Sequence, residues 1–151
     1  MGENLMRKDG GDHQLERKAL FPALSPRTTR DVWLPAIKAS VENLLKDLKP
    51  LGKCDLVRDF AMPASAEALK LVTGLTNMTA PEMDRVSQGM IDGCANYAGD
   101  ASIEANCHDC TRSIDAHIDE MMPFLQVAPN ASALSVQMQA GLCALARQKP
   151  A

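Results

Sequence analysis

His13 and Arg17 are the first residues of this sequence whose types and spacing could do chemistry together. Residues four apart share one face of a helix, where a guanidinium can grip a carboxylate through two charge-assisted bonds and an imidazole can add another. The plain alternative is a solvated face at a helix start, with Glu16 at hand for local ion pairs. Cys107-His108-Asp109-Cys110 is the second cluster. On a helix its two thiols share a face, and with His117 two turns further on they could converge on zinc, the fourth ligand being Cys94, Cys143 or water. No second Cys-x-x-Cys accompanies them, and Thr111 stands where haem attachment would require a histidine. Free cysteine is often simply a small buried apolar side chain, which is the plain reading here.

The elements that must position these residues are helices. Asp9-Gly10-Gly11-Asp12 reads as a turn with Asp12 as N-cap, releasing a short helix from His13 to Leu24 that Pro22 and Pro26 interrupt. Ser25-Pro26 restarts the chain as a long helix, because Ser caps free N–H groups and Pro tolerates the first helical position. Through Lys49 its apolar residues Val32, Trp33, Ala36, Ile37, Val41, Leu44, Leu45 and Leu48 recur at three- and four-residue spacing, the mark of a buried stripe. Pro35 delays or kinks its start, and Pro50-Leu51-Gly52 ends it.

Cys54 to Phe60 reads as a short extended or turn-like segment leading to the next helix and is the best strand candidate. Residues 64–74 form a helix closed by Gly74. Thr79-Ala80-Pro81-Glu82 is a capping-box pattern opening a helix to about Tyr97, with Glu82 returning the bond to Thr79. Ser102 opens another, with Ile103, Cys107, Cys110, Ile114, Ile118 and Met121 on one face up to Pro123, and Asn130 to Leu142 forms a last, turn-rich helix.

Composition agrees with an all-α fold carrying at most one short strand. Of 151 residues 46% are hydrophobic but only 3% aromatic, so the apolar mass is Leu, Ala, Val and Met, which suits helices better than sheets. Residues 1–58 hold eleven Lys/Arg against eight Asp/Glu, and residues 59–151 hold five against eleven: a front of +3 and a back of −6. That excess is too small for a nucleic-acid face but could steer an acidic protein partner. No apolar run approaches the ~20 residues a bilayer span needs, and the polar start is unlike a signal peptide, so a cytoplasmic chain without membrane partners is expected. Five cysteines, an odd number, point to reduced thiols, and the sequons at Asn77 and Asn130 read as chance matches.

The run Gly2-Glu3-Asn4-Leu5-Met6-Arg7-Lys8-Asp9-Gly10, with His13-Gln14-Leu15-Glu16-Arg17-Lys18-Ala19-Leu20-Phe21 after it, resembles the helix C region of bacterial cytochromes P-450. The likeness continues through Ser25-Pro26-Arg27, through Cys54-Asp55-Leu56-Val57-Arg58-Asp59-Phe60-Ala61-Met62-Pro63, which looks like the segment leading into helix E, and through Leu71-Val72-Thr73-Gly74-Leu75. Each motif alone is weak; their order and spacing carry the resemblance, over about residues 2 to 140. It implies a partial cytochrome P-450 fold from helix C to helix H over residues 1–142, with residues 143–151 an unassigned tail. It also implies that His13 and Arg17 bind the propionates of a haem cofactor. The later helices would correspond to those covering the substrate pocket, and a ferredoxin-like or flavoprotein redox partner would dock on a surface including Arg7, Lys8, Arg17 and Lys18.

The family's Ala/Gly-Gly-x-Glu/Asp-Thr, Glu-x-x-Arg and Phe-x-x-Gly motifs do not follow in order. Glu82-Met83-Asp84-Arg85 spells the second of these far too early and is explained by the capping box. No cysteine follows a Phe-x-x-Gly loop, so no residue is assigned a catalytic role, and a bound iron would lack the thiolate that favours O–O cleavage. The expectation is a fragment of a haem-thiolate monooxygenase, inactive alone. A non-enzymatic helical protein that self-associates through exposed apolar helix faces is the second reading, and a small Cys/His metal-binding protein the third.

Overall fold

Around Met78 and Val86, at 1% and 2% exposure, the helices of the second half of the chain close a core. In this computed structural model, which describes residue 5 and residues 8–141, every regular element is helical and none is a strand. The elements are α1 (Gly10–Leu24), α2 (Pro26–Thr28), a π segment (Thr29–Trp33), α3 (Leu34–Leu48), a 3₁₀ turn (Lys49–Leu51), a second π segment (Leu56–Ala61), α4 (Met62–Thr73), α5 (Ala80–Cys94), α6 (Ala101–Val127) and α7 (Ala133–Gln139). The all-α expectation therefore holds. No helix among the described residues is long and apolar enough to cross a membrane.

The core joins Ala66 of α4, Leu75 and Met78 of the following turn, Met83 and Val86 of α5, Cys110 and Leu125 of α6 and Leu134 of α7. Each such fully buried aliphatic or thioether side chain contributes roughly 1.5–3 kcal/mol. α4 packs on α3 and α5, partners that its own residues do not reveal, and α1 packs on α7. Facing contacts between α5 and α6 run in opposite directions along the chain, as Glu82 meets Ser113, Arg85 meets Cys110 and Met90 meets Cys107, so the pair is an antiparallel hairpin. Asn96 clasps the connecting loop, its side chain accepting from Asp100 N at 2.8 Å and donating to Asp100 O at 2.9 Å.

Several boundaries follow the sequence signals. Ser25 Oγ accepts from Thr28 N at 3.1 Å with Pro26 at the first helical position, Gly74 closes α4 at φ 94°, and Thr79 caps α5. Cys107, Cys110, Ile114, Ile118 and Met121 line the covered face of α6.

Others differ, with physical reasons. α1 begins at Gly10 with Asp9, not Asp12, at its N-cap; Gly10 enters the helix at a left-handed φ of 62°, which glycine takes without steric cost. Pro22 lies within α1, and Pro123 lies within α6, which runs on to Val127. The missing N–H of Pro123 removes a single ladder bond, while Leu125 beyond it is buried at 3% exposure, so packing carries the helix past the proline. Pro35 does not delay the long helix; the widened π turn Thr29–Trp33 lies just before it and accommodates the ring that would crowd a regular α turn.

The strand candidate Cys54–Phe60 is no strand: Asp55 is an extended N-cap, and from Leu56 the chain is a π segment. Asp55 accepts from Val57 N and Arg58 N at 3.0 and 2.9 Å, and Asp59 accepts from Asp55 N at 2.8 Å, so two carboxylates close the helical turn where a strand was the candidate. The stripe on α3 is only half covered: α3 has no buried residue, and Leu45 is 48% exposed.

Candidate functional site

α1 carries both His13 and Arg17. The helix holds because α1 is tied down at both ends: Lys8 pairs with Glu16 near its start, Thr28 Oγ1 donates to Pro22 O at 2.7 Å, and Trp33 Nε1 donates to Ala23 O at 2.7 Å. His13 and Arg17 therefore stand four residues apart on one helix, His13 half-buried and Arg17 exposed. Glu16 belongs to Lys8 rather than to either of them. Such a pair can meet a carboxylate arriving from solvent with one planar fork and one imidazole. Arg7, of the basic docking surface, and Gly2 to Asn4 with Met6, of the helix C motif, lie outside the described residues.

Cys107 and Cys110 are buried between α5 and α6, where Cys107 Sγ lies 4.0 Å from Met90 Sδ and Cys110 Sγ 3.8 Å from Arg85 O. They behave as packing residues, small enough for the close approach of two helices. An added Cβ at Gly89 would lie 2.4 Å from Cys110 Sγ, which shows how tight that approach is. Cys54 and Cys94 are exposed and far apart in the fold order, on the turn before α4 and at the end of α5.

The zinc arrangement is not assembled. His117 Nδ1 lies 2.8 Å from Ser113 O on its own helix, Cys143 lies outside the described residues, and among the described residues no three His, Cys, Asp or Glu side chains are grouped to hold a metal.

Glu82 and Arg85 do something the sequence reading missed. Thr79 Oγ1 accepts from Glu82 N at 3.3 Å, the first half of the capping box, but the Glu82 carboxylate turns away from Thr79. It accepts from Arg85 Nε at 2.8 Å, Arg85 Nη2 at 2.7 Å and Ser113 Oγ at 2.6 Å. Arg85 Nη1 then reaches Asp109 across on α6 at 3.1 Å. Hydrogen bonds from Arg85 first, then from Ser113, pull the Glu82 carboxyl down to about 2, and the Glu82 partner raises the Arg85 guanidinium above its ordinary value. The signal was the three-residue spacing of opposite charges, which serves a side-chain pair as well as a cap.

A second feature without a sequence signal is an apolar cleft of ≈ 490 Å³ between the end of α3 and the π segment Leu56–Ala61. Neither His13 nor Arg17 lines it. A search of the sequence against models of known protein families finds no match.

Proposed function

We propose that this chain is a helical segment related to the cytochrome P-450 family, in which His13 and Arg17 grip the propionates of a haem while the oxygen chemistry belongs to parts that this sequence does not contain. The observation that carries the reading is the pair itself: two cationic or proton-donating side chains four residues apart on α1, one half-buried and one exposed, with Glu16 diverted to Lys8. Two of the signals quoted for the resemblance also bound helices here, Ser25-Pro26 opening α2 and Gly74 closing α4, which supports it in a coarser way.

A haem bound there would offer redox-active iron. This chain's own part is to bind and orient the carboxylate edge. The buried thiols of Cys107 and Cys110, engaged between α5 and α6, are not available to the metal, so monooxygenation by this chain alone is not expected.

The test is a titration with haemin and with its dimethyl ester. Haemin should bind at least tenfold more tightly than the ester, and Arg17→Ala should remove most of that difference. Equal affinity for acid and ester would end the propionate reading.

A further inference from the structure

We propose that the cleft between the end of α3 and the π segment Leu56–Ala61 binds a single-chain amphiphile with an anionic head, a fatty carboxylate, with its alkyl chain on the leucines and its head on Lys49 and Lys53. The inference does not depend on the haem reading. Leu45, Leu48, Leu56 and Phe60 form the walls, and the volume of ≈ 490 Å³ lies within the range of ~300–1,000 Å³ typical of small-ligand sites. These apolar side chains are not sealed in a core: Leu45 is 48% and Leu56 69% exposed, with Val57 beside them at 64%. Single exposed leucines need no explanation, but several around one concavity mark a surface that gains by being covered.

The polar groups at the cleft decide what covers it. Lys49 and Lys53 are its charged lining residues, and no ion pair joins either to another side chain among the described residues. The carboxylates on and just before the π segment are already engaged, Asp55 with the N–H groups of Val57 and Arg58, and Asp59 with Arg58 and Asp55 N. An apolar trough with two ammonium groups and no lining carboxylate complements an alkyl chain ending in one negative charge. A neutral alcohol of the same length satisfies the walls and wastes the lysines. Gly52, at φ 69°, turns the chain back so that Lys49 and Lys53 flank the same cleft.

Cys54, exposed and itself in the lining, reports occupancy. The experiment titrates the full chain with dodecanoate below its micelle concentration, with octanoate, and with 1-dodecanol, and follows iodoacetamide alkylation of each cysteine by mass spectrometry. Expected are saturable one-to-one binding, a gain of about fourfold per methylene between the two acids, at least tenfold weaker binding of the alcohol, and at least tenfold weaker binding of dodecanoate by the double variant K49E/K53E. Saturating dodecanoate should slow alkylation of Cys54 at least tenfold and leave Cys94 unchanged. Absence of saturable binding, an alcohol that binds as tightly as the acid, or an unprotected Cys54 would each overturn the proposal. So would a dimer that protects Cys54 and is indifferent to dodecanoate, because the cleft would then be covered by a second copy.

Discussion

The indole of Trp33 donates a 2.7 Å hydrogen bond to the backbone carbonyl of Ala23, ten residues earlier. Ala23 is fully buried and Trp33 is 7% exposed, so the bond sits in a dry joint between the end of α1 and the helix that follows. It satisfies one of the last four carbonyls of α1, which have no partner within their own helix, and Thr28 satisfies that of Pro22 in the same way. The orientation of α1, and with it of His13 and Arg17, rests on this joint.

Trp33→Phe keeps an aromatic ring but leaves the Ala23 carbonyl buried and unpaired. A loss of about 1–3 kcal/mol is expected, read as a lower urea midpoint with an unchanged slope. A variant as stable as the wild type would show that water replaces the indole and that the joint is not dry.

Glu82 gives a pH dependence of definite sign. Its folded carboxyl is held near about 2, below the ordinary value of 4.5, so the stabilisation is fully present above the ordinary value and is lost as the pH falls from there toward about 2. The side chain keeps 26% exposure and its Arg85 partner 39%, so solvent screening limits the effect to about 1 kcal/mol. Urea midpoints at pH 7 and pH 3 should therefore fall further for the wild type than for Glu82→Gln. Equal falls would mean that the Arg85 pair contributes nothing.

Gly89→Ala tests the close approach of α5 and α6. A methyl there meets Cys110 Sγ at 2.4 Å and Asn106 Nδ2 at 3.0 Å. Overpacking of this kind costs about 1–3 kcal/mol, against a gain of about 1 kcal/mol from alanine's helix propensity. Thermal unfolding should show net destabilisation, partly restored in the double variant G89A/C110A. Gly11→Ala, with open space around its new methyl, should not destabilise α1.

What could be read from the sequence was local. Thr79 as a cap, Gly74 as a stop and the covered face of α6 each follow from a few adjacent residues, because capping and helical periodicity are short-range effects. The shared face of His13 and Arg17 follows from spacing alone. The π segment at Leu56–Ala61 did not, since it depends on where the carboxylates of Asp55 and Asp59 turn, and they turn onto backbone N–H groups. Nor did the passage of α6 through Pro123, which depends on Leu125 finding the core. The cleft was invisible for a related reason: Leu45 and Phe60 belong to separate elements, and only their tertiary approach makes one wall facing another.

Under the proposed function, His13 and Arg17 hold a haem by its carboxylates while none of the described thiols, Cys54, Cys94, Cys107 and Cys110, ligates its iron. The direct measurement is the absorption spectrum of the haem-loaded chain after reduction under carbon monoxide. Uptake that depends on Arg17, with a Soret band lacking thiolate character, is the predicted result. A thiolate-type Soret band would contradict it, because one of the cysteines would then have left its packed or exposed position to ligate the metal.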